Sequence, residues 1–362
     1  MITQYQVMCI MTSTTVGVGV LALPRMVANL AETGAPLAIL LGMLLSLLIA
    51  WPWIRIGKHH PNATIIQTTQ KLCGLVSIPI NLSYVMLAGL LTAMAAREFG
   101  EVVITSILTS TPLEVTIVIM LLLAALGVRN NIGTFARIHE FYLPFILIPG
   151  LIIFFLSLKD ARLIHLLPVS GTSLLQVGNA ALMTAGFFQG FVVLGMIIPF
   201  LKTPGKMGWA VATGIFVAGM SFLLSVVASL GFFGSGETSG LMWPTLELAK
   251  ATTIPGNIME RLDAAFIAVW VTAVYTTLVS TYFIVTVGLS QMFYLEDHRA
   301  FTFPMLPILF AVALSPPNVD VLYHIIRLTA FYGLVVTISH PLILLVVDQL
   351  QAGLRSSRRM RG

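Results

Sequence analysis

Apolar positions in this chain run on for long stretches before a charge interrupts them, without the period-2 alternation of a half-buried strand and without a recurring solvated face. A helix needs about 20 mostly apolar residues to cross a hydrocarbon layer of about 30 Å. Windows of that kind predict ten spanning helices, near residues 5–31, 34–56, 77–107, 112–128, 138–158, 173–201, 207–232, 261–290, 302–315 and 322–350. The ninth is short and flanked by prolines, so nine or eleven stay open as counts. The missing alternation excludes a β-barrel. The first 24 residues have no basic leader and run straight into apolar sequence, which reads as a first span and not a cleaved signal. The longest loop, from about 233 to 260, is expected to form an outer cap with a short helix started by Pro244.

Composition agrees with the pattern. Hydrophobic residues make up 57% and charged residues 9% of 362, against about 25% charged in soluble proteins, and the mean hydropathy is +0.97. These values exclude a soluble enzyme, a disordered chain and a nucleic-acid-binding protein. The net charge of +5 is then a topology signal, because excess Lys and Arg mark cytoplasmic loops. With the amino terminus inside, 12 of the 19 basic residues face inward beside 4 acidic ones, leaving 7 basic and 10 acidic residues outside. Both termini are expected in the cytoplasm. The basic tail over 351–362 fixes that topology or, alternatively, forms a lipid-headgroup patch. Cys9 and Cys73 have neither disulfide-framework nor metal spacing and read as structural. No HExxH, Walker or GxSxG motif occurs, so neither catalysis nor a cofactor is expected.

Candidate chemistry lies where spanning helices are interrupted. Unpaired backbone groups in hydrocarbon cost several kcal/mol each, so a broken helix is tolerated only against protein or a wet cavity. The first span carries TTVGVGVLALPRM, with Gly17 and Gly19 ahead of Pro24; the sixth carries TAGFFQGFVVLGMIIPFLK, with Gly186, Gly190 and Gly195 ahead of Pro199. One and six are equivalent places in two five-helix halves, residues 5–158 and 173–350, the second inverted because each half has an odd number of spans. Broken helices in such a design turn amide ends toward an anionic group and carbonyl ends toward a cation, which together suit a zwitterionic amino acid. Close helix packing is the alternative use of these glycines. Gly186 and Gly190 fit its spacing, but Gly17 and Gly19 point about 200° apart.

Three other polar features stand out. The eighth span has a seam of Thr272, Thr276 and Ser280, with Tyr275 and Thr277 half a turn away; these hydroxyls contact a ligand or cation, or bond their own helix carbonyls. In the third span Arg97, next to Glu98 and Glu101, sits about 29 Å up from residue 78 at about 1.5 Å per residue, which predicts an interfacial, snorkelling pair, with a proton relay as the alternative. His340 before Pro341 is expected to be a hydrogen-bonded structural histidine, with titration near neutral pH as the alternative.

The ten spans, VGVGVLALPRM, and WPTLELAK followed by IMERLDAAFIAVWV together resemble the B subunits of nutrient germinant receptors, the endospore germination permeases of the amino acid, polyamine and organocation transporter superfamily. The glycine motif points only to the superfamily; Glu260, Arg261 and Asp263 ahead of Trp270 point to the germination branch. The resemblance implies an all-α integral membrane protein with a LeuT-type 5+5 inverted repeat, residence in the spore inner membrane, and a complex with a larger A-type membrane subunit and a C-type lipoprotein. It implies an amino acid or similar nutrient as ligand. By the superfamily pattern, backbone at Thr15, Val16, Gly17, Val18 and Gly19 would hold the carboxylate and part of the amine. Phe187, Phe188, Gln189 and Gly190 would form the facing break, with Tyr275, Thr276, Thr277 and Ser280 approaching from the eighth span. The lysine that some proton-coupled relatives carry in the fifth span is missing, which leaves a sodium ion, a proton or no ion as alternatives for coupling. An ordinary amino-acid permease working by alternating access is the competing function.

Overall fold

A computed structural model describes residues 1–17, 19–171, 173–252 and 262–359. Each of the ten expected windows coincides with helix. In chain order these are α1 (Gln4–Val16) and α2 (Gly19–Ala31), α3 (Ala35–His59), a short α4 (Ile65–Cys73), α5 (Ser77–Ser106), α6 (Leu113–Val128) and α7 (Ile132–Ser157). Then come α8 (Leu174–Phe187), α9 (Leu194–Ile197), α10 (Met207–Phe233), α11 (Ser235–Gly240), α12 (Pro244–Ala251), α13 (Leu262–Met292), α14 (Arg299–Leu314) and α15 (Val319–Arg359). Among the described residues, length and apolarity alone qualify 7 helical stretches to cross a membrane, with α6 and α14 as shorter apolar helices. The first span falls below that length because it is cut after Val16. α12 begins at Pro244, which takes the first helical position where its missing N–H costs nothing.

The surface is inverted relative to a water-soluble protein. Leu48, Phe141, Trp209 and Val335 are exposed on the outside of the bundle, while Thr12, Ser13, Thr92, Thr276 and Ser280 are buried within it. An apolar exterior over a hydroxyl-rich interior is what a lipid-facing bundle requires, since lipid cannot satisfy hydroxyls and protein can. Small residues bring the helices together. A Cβ on Gly42 would stand 2.7 Å from the Thr184 side chain, tying α3 to α8, and one on Gly214 would stand 2.5 Å from Met11 Cβ, tying α10 to α1.

The two broken spans meet at their ends. A capping box starts α1: Gln6 N–H donates to Thr3 Oγ1 at 3.2 Å and Thr3 N–H to Gln6 Oε1 at 3.0 Å. Just upstream, Ile2 N–H donates to Phe200 O at 2.7 Å and Lys202 N–H to Ile2 O at 2.9 Å, stitching the start of the first span to the end of the sixth. The sixth, Leu174–Phe200, is also the most enclosed of the seven long stretches. A helix surrounded by protein can afford irregular backbone.

Candidate functional site

The first break is held open by substitute hydrogen bonds. Pro24 lies inside α2 and has no N–H for the carbonyl four residues back, that of Val20. Thr245 Oγ1 of α12 donates to that carbonyl at 2.7 Å and Ser225 Oγ of α10 at 3.3 Å. On the other side, side chains of α13 donate to carbonyls at the end of the first segment. Thr277 Oγ1 donates to Thr14 O at 3.1 Å, and Trp270 Nε1 donates to Gly17 O at 3.1 Å. Gly17 also serves packing, because a Cβ there would stand 1.8 Å from Thr277 Oγ1 and 3.0 Å from Ala273 O. The break and the close packing therefore coincide at this glycine, which does not itself line the cavity described below. Val18 lies outside the described residues.

The second break replaces α-helix with a 3-10 segment, Gln189–Val193, between α8 and α9. Tyr84 Oη donates to Val192 O at 2.7 Å. Gln189 Nε2 donates to Ala330 O at 2.8 Å, and Gly333 makes room for its amide, since a Cβ there would stand 2.0 Å from Gln189 Oε1. The two breaks touch at Gly190, whose Cβ would stand 2.1 Å from Thr15 Oγ1 and 2.8 Å from Thr15 N.

Between them lies a cavity of about 100 Å³, room for several waters or one small solute. Thr15 and Gly19 line it from the first break, Phe187, Gln189 and Gly190 from the second, and Thr277 from α13. Other expected residues stand elsewhere. Val16 lines a second, apolar cavity of about 30 Å³ toward α7 and α10. Phe188 packs edge-on against Phe222 at 5.3 Å, and Tyr275 faces Tyr142 at 5.8 Å. Thr276 donates to Ala273 O at 2.8 Å, and Thr272 to Val269 O at 2.6 Å, so two of the three seam hydroxyls bond their own helix.

Ser280 belongs to a hydroxyl–imidazole chain that the sequence analysis does not single out. Ser13 Oγ lies 2.6 Å from His139 Nδ1, His139 Nε2 lies 3.1 Å from Ser280 Oγ, and Ser280 Oγ lies 2.6 Å from Thr14 Oγ1. Counting hydrogens sets the direction. Ser13 spends its one proton on Cys9 O at 2.7 Å, so His139 Nδ1–H donates to Ser13. Nε2 must then accept from Ser280, and Ser280 from Thr14, which lines the cavity. The rule that an ionisable residue inside an apolar span deserves a functional reading points to His139 as much as to His340.

The charged cluster on α5 corrects the snorkelling expectation. Arg97, Glu98 and Glu101 are 5%, 4% and 8% exposed, so they are enclosed by neighbouring helices and do not reach out of the bundle. Arg97 pairs with Glu101 at 2.8 Å, one helical turn on. Glu98 turns away into the cavity, where it accepts from Tyr323 Oη at 3.1 Å. Tyr323 in turn accepts from Trp243 Nε1 at 2.7 Å, and Arg25 covers its ring at 5.7 Å. His340 is the bonded structural histidine expected: Thr69 donates its proton to Ile65 O, so His340 Nε2–H donates to Thr69 Oγ1 at 2.8 Å. Glu260 and Arg261, and the side chain of Asp263, lie outside the described residues.

A helical bundle with two interrupted spans around a small, mostly apolar cavity has known counterparts. The fold matches the crystal structure of MhsT in complex with L-phenylalanine, with a TM-score of 0.64 over 95% of this chain and 97% of that one. Identity there is 13%, so the likeness is one of fold: a LeuT-type transporter architecture. Relatives similar over nearly their whole length include spore germination protein B2 of Bacillus subtilis (strain 168), 26% identical over 93% of both chains. Spore germination protein GerLB of Bacillus cereus is 28% identical over 94% of this chain and 92% of its own. Spore germination protein YndE of Bacillus subtilis (strain 168) is 24% identical over 96% of both. Residues 1–320 match the spore germination protein family model, and the chain is a membrane protein belonging to that family.

Proposed function

We propose that the chain is the ligand-sensing membrane subunit of a spore germinant receptor, binding an amino acid or similar small nutrient between its two broken spans. The observation that carries this reading is the cavity itself, lined at once by Thr15 and Gly19 of the first break and Gln189 and Gly190 of the second. A solute touching both breaks has different contacts whenever the breaks move apart, and a ligand shifts a conformational equilibrium only through such a difference. In this reading residues 5–158 and 173–350 are inverted repeats, the site lies near the bilayer midplane, and both termini are cytoplasmic in the spore inner membrane. An A-type membrane subunit and a C-type lipoprotein read out the change.

Transport by alternating access is the second reading, favoured by the architecture shared with MhsT. Proteoliposomes loaded with the purified chain separate the two. Saturable binding of labelled amino acid without accumulation supports the receptor, whereas stoichiometric uptake down an ion gradient supports the permease. In either case Gly19→Val should abolish binding: its Cβ would stand 3.3 Å from the Phe222 ring and 3.4 Å from the Phe187 ring, tight contacts that side chains and not backbone must relieve, and the branched side chain takes up room at the cavity wall. Undiminished binding in that variant moves the ligand elsewhere.

A further inference from the structure

The charge inside the cavity is unbalanced. Among its lining residues Glu98 and Tyr323 are the ionisable ones, and none is Lys, Arg or His. The neighbouring base, Arg97, is committed to Glu101 at 2.8 Å, and among the described residues no cation pairs with Glu98. Its one protein donor is Tyr323 Oη, at 3.1 Å to Oε1, and that hydroxyl is itself oriented by Trp243. The carboxylate is therefore held by one oxygen, and Oε2 takes no protein donor among the described residues. A carboxylate away from water and without a counter-charge is unfavourable until a cation reaches it.

Gln189 lines the same cavity and carries a second free acceptor, packed beside Gly333. Gln189 is 4% exposed, and donation of its Nε2 to Ala330 O fixes which end of the amide is which. Its Oε1 is buried without a hydrogen-bond partner. Two acceptors wanting donors, one of them a carboxylate, match a group that carries several N–H donors and a positive charge. Neutral sugars and carboxylic acids bring no such charge, and an acid adds a repulsion.

We propose that the cavity selects ligands with a protonated primary amine, whose ammonium binds the Glu98 carboxylate with Gln189 Oε1 as a further acceptor. This rests on the reading of the cavity as the ligand site. It assigns the amine to a side chain of α5, in addition to any backbone carbonyls at the breaks, and makes Glu98 a specificity-determining residue.

The test uses the full chain in detergent, titrated calorimetrically with matched pairs: L-alanine against L-lactate, L-valine against L-2-hydroxyisovalerate, and L-lysine and putrescine as further amines. At least one amine should bind, with the hydroxy acid of its pair at least 10-fold weaker. Glu98→Gln keeps an acceptor for Tyr323 and removes only the charge, so it should weaken the amine at least 10-fold while the ligand-free protein melts no lower than the parent. A hydroxy acid binding as tightly as its amine, or an unchanged amine affinity in Glu98→Gln, overturns this proposal and leaves the cavity reading standing. If no compound in the set binds, both fall.

Discussion

Contact between the breaks predicts a sharp asymmetry between two chemically identical substitutions. In Gly190→Ala the new methyl would stand 2.1 Å from Thr15 Oγ1, 2.8 Å from Thr15 N and 3.0 Å from Met11 O. Two of those three atoms are backbone, so no rotamer change relieves them, and α1 must move away from the 189–193 segment. Overpacking of this kind costs about 1–3 kcal/mol. In Gly178→Ala, one helix back on α8, the methyl meets nothing within 4 Å. There the change removes backbone freedom from the unfolded chain and should stabilise by about 0.4–1 kcal/mol. Thermal unfolding in detergent, followed by tryptophan fluorescence, should place the two variants on opposite sides of the parent. Thr15→Ala in the Gly190→Ala background deletes only the side-chain clash and should recover a fraction of the loss. Equal melting of Gly190→Ala and the parent, or complete recovery by Thr15→Ala, would refute the claim that the two breaks touch through backbone.

Other consequences follow from the same contacts. Removing one partner of the buried Arg97–Glu101 pair, as in Glu101→Gln, should destabilise by about 3–5 kcal/mol, whereas Arg97→Met with Glu101→Leu should come close to the parent. Thr245→Val with Ser225→Ala strips both donors from the Val20 carbonyl and should cost about 1–3 kcal/mol; adding Pro24→Ala restores the helical N–H and should return most of it. The two buried histidines should be opposite tautomers, His139 protonated on Nδ1 and His340 on Nε2, which nitrogen chemical shifts of histidine-labelled protein distinguish directly. His139→Phe should cost about 0.6 kcal/mol per hydrogen bond lost, with about 1.7 as the ceiling for one bond, and a neutral result would show that the chain through Ser280 is not formed.

The parts of this fold that could be read in advance are those a bilayer imposes one residue at a time. Twenty apolar residues must be helix because no water is there to bond the backbone, and Gly17, Pro24 and Gly190 announce a break because the helix there either lacks a donor or must let another chain approach. What could not be read is the direction in which polar side chains point. Thr276, Thr277 and Ser280 look alike in sequence, yet Thr277 turns to Thr14 O at the end of α1, and Ser280 turns to His139 because α7 brings an imidazole there. The acceptor on α1 and the donor on α13 lie about 260 residues apart, and no local spacing records their meeting. Glu98 failed for a related reason. The rise along α5 gives height across the membrane, but height is not access to water, because burial depends on what stands beside the helix. With Trp243 and Tyr323 on one side and the cavity on the other, a carboxylate at that height is enclosed whatever its distance from the interface. A carboxylate retained there, with its neighbouring base already spent on Glu101, has no cation among the described residues to offset its desolvation, which is the physical reason for assigning it a ligand.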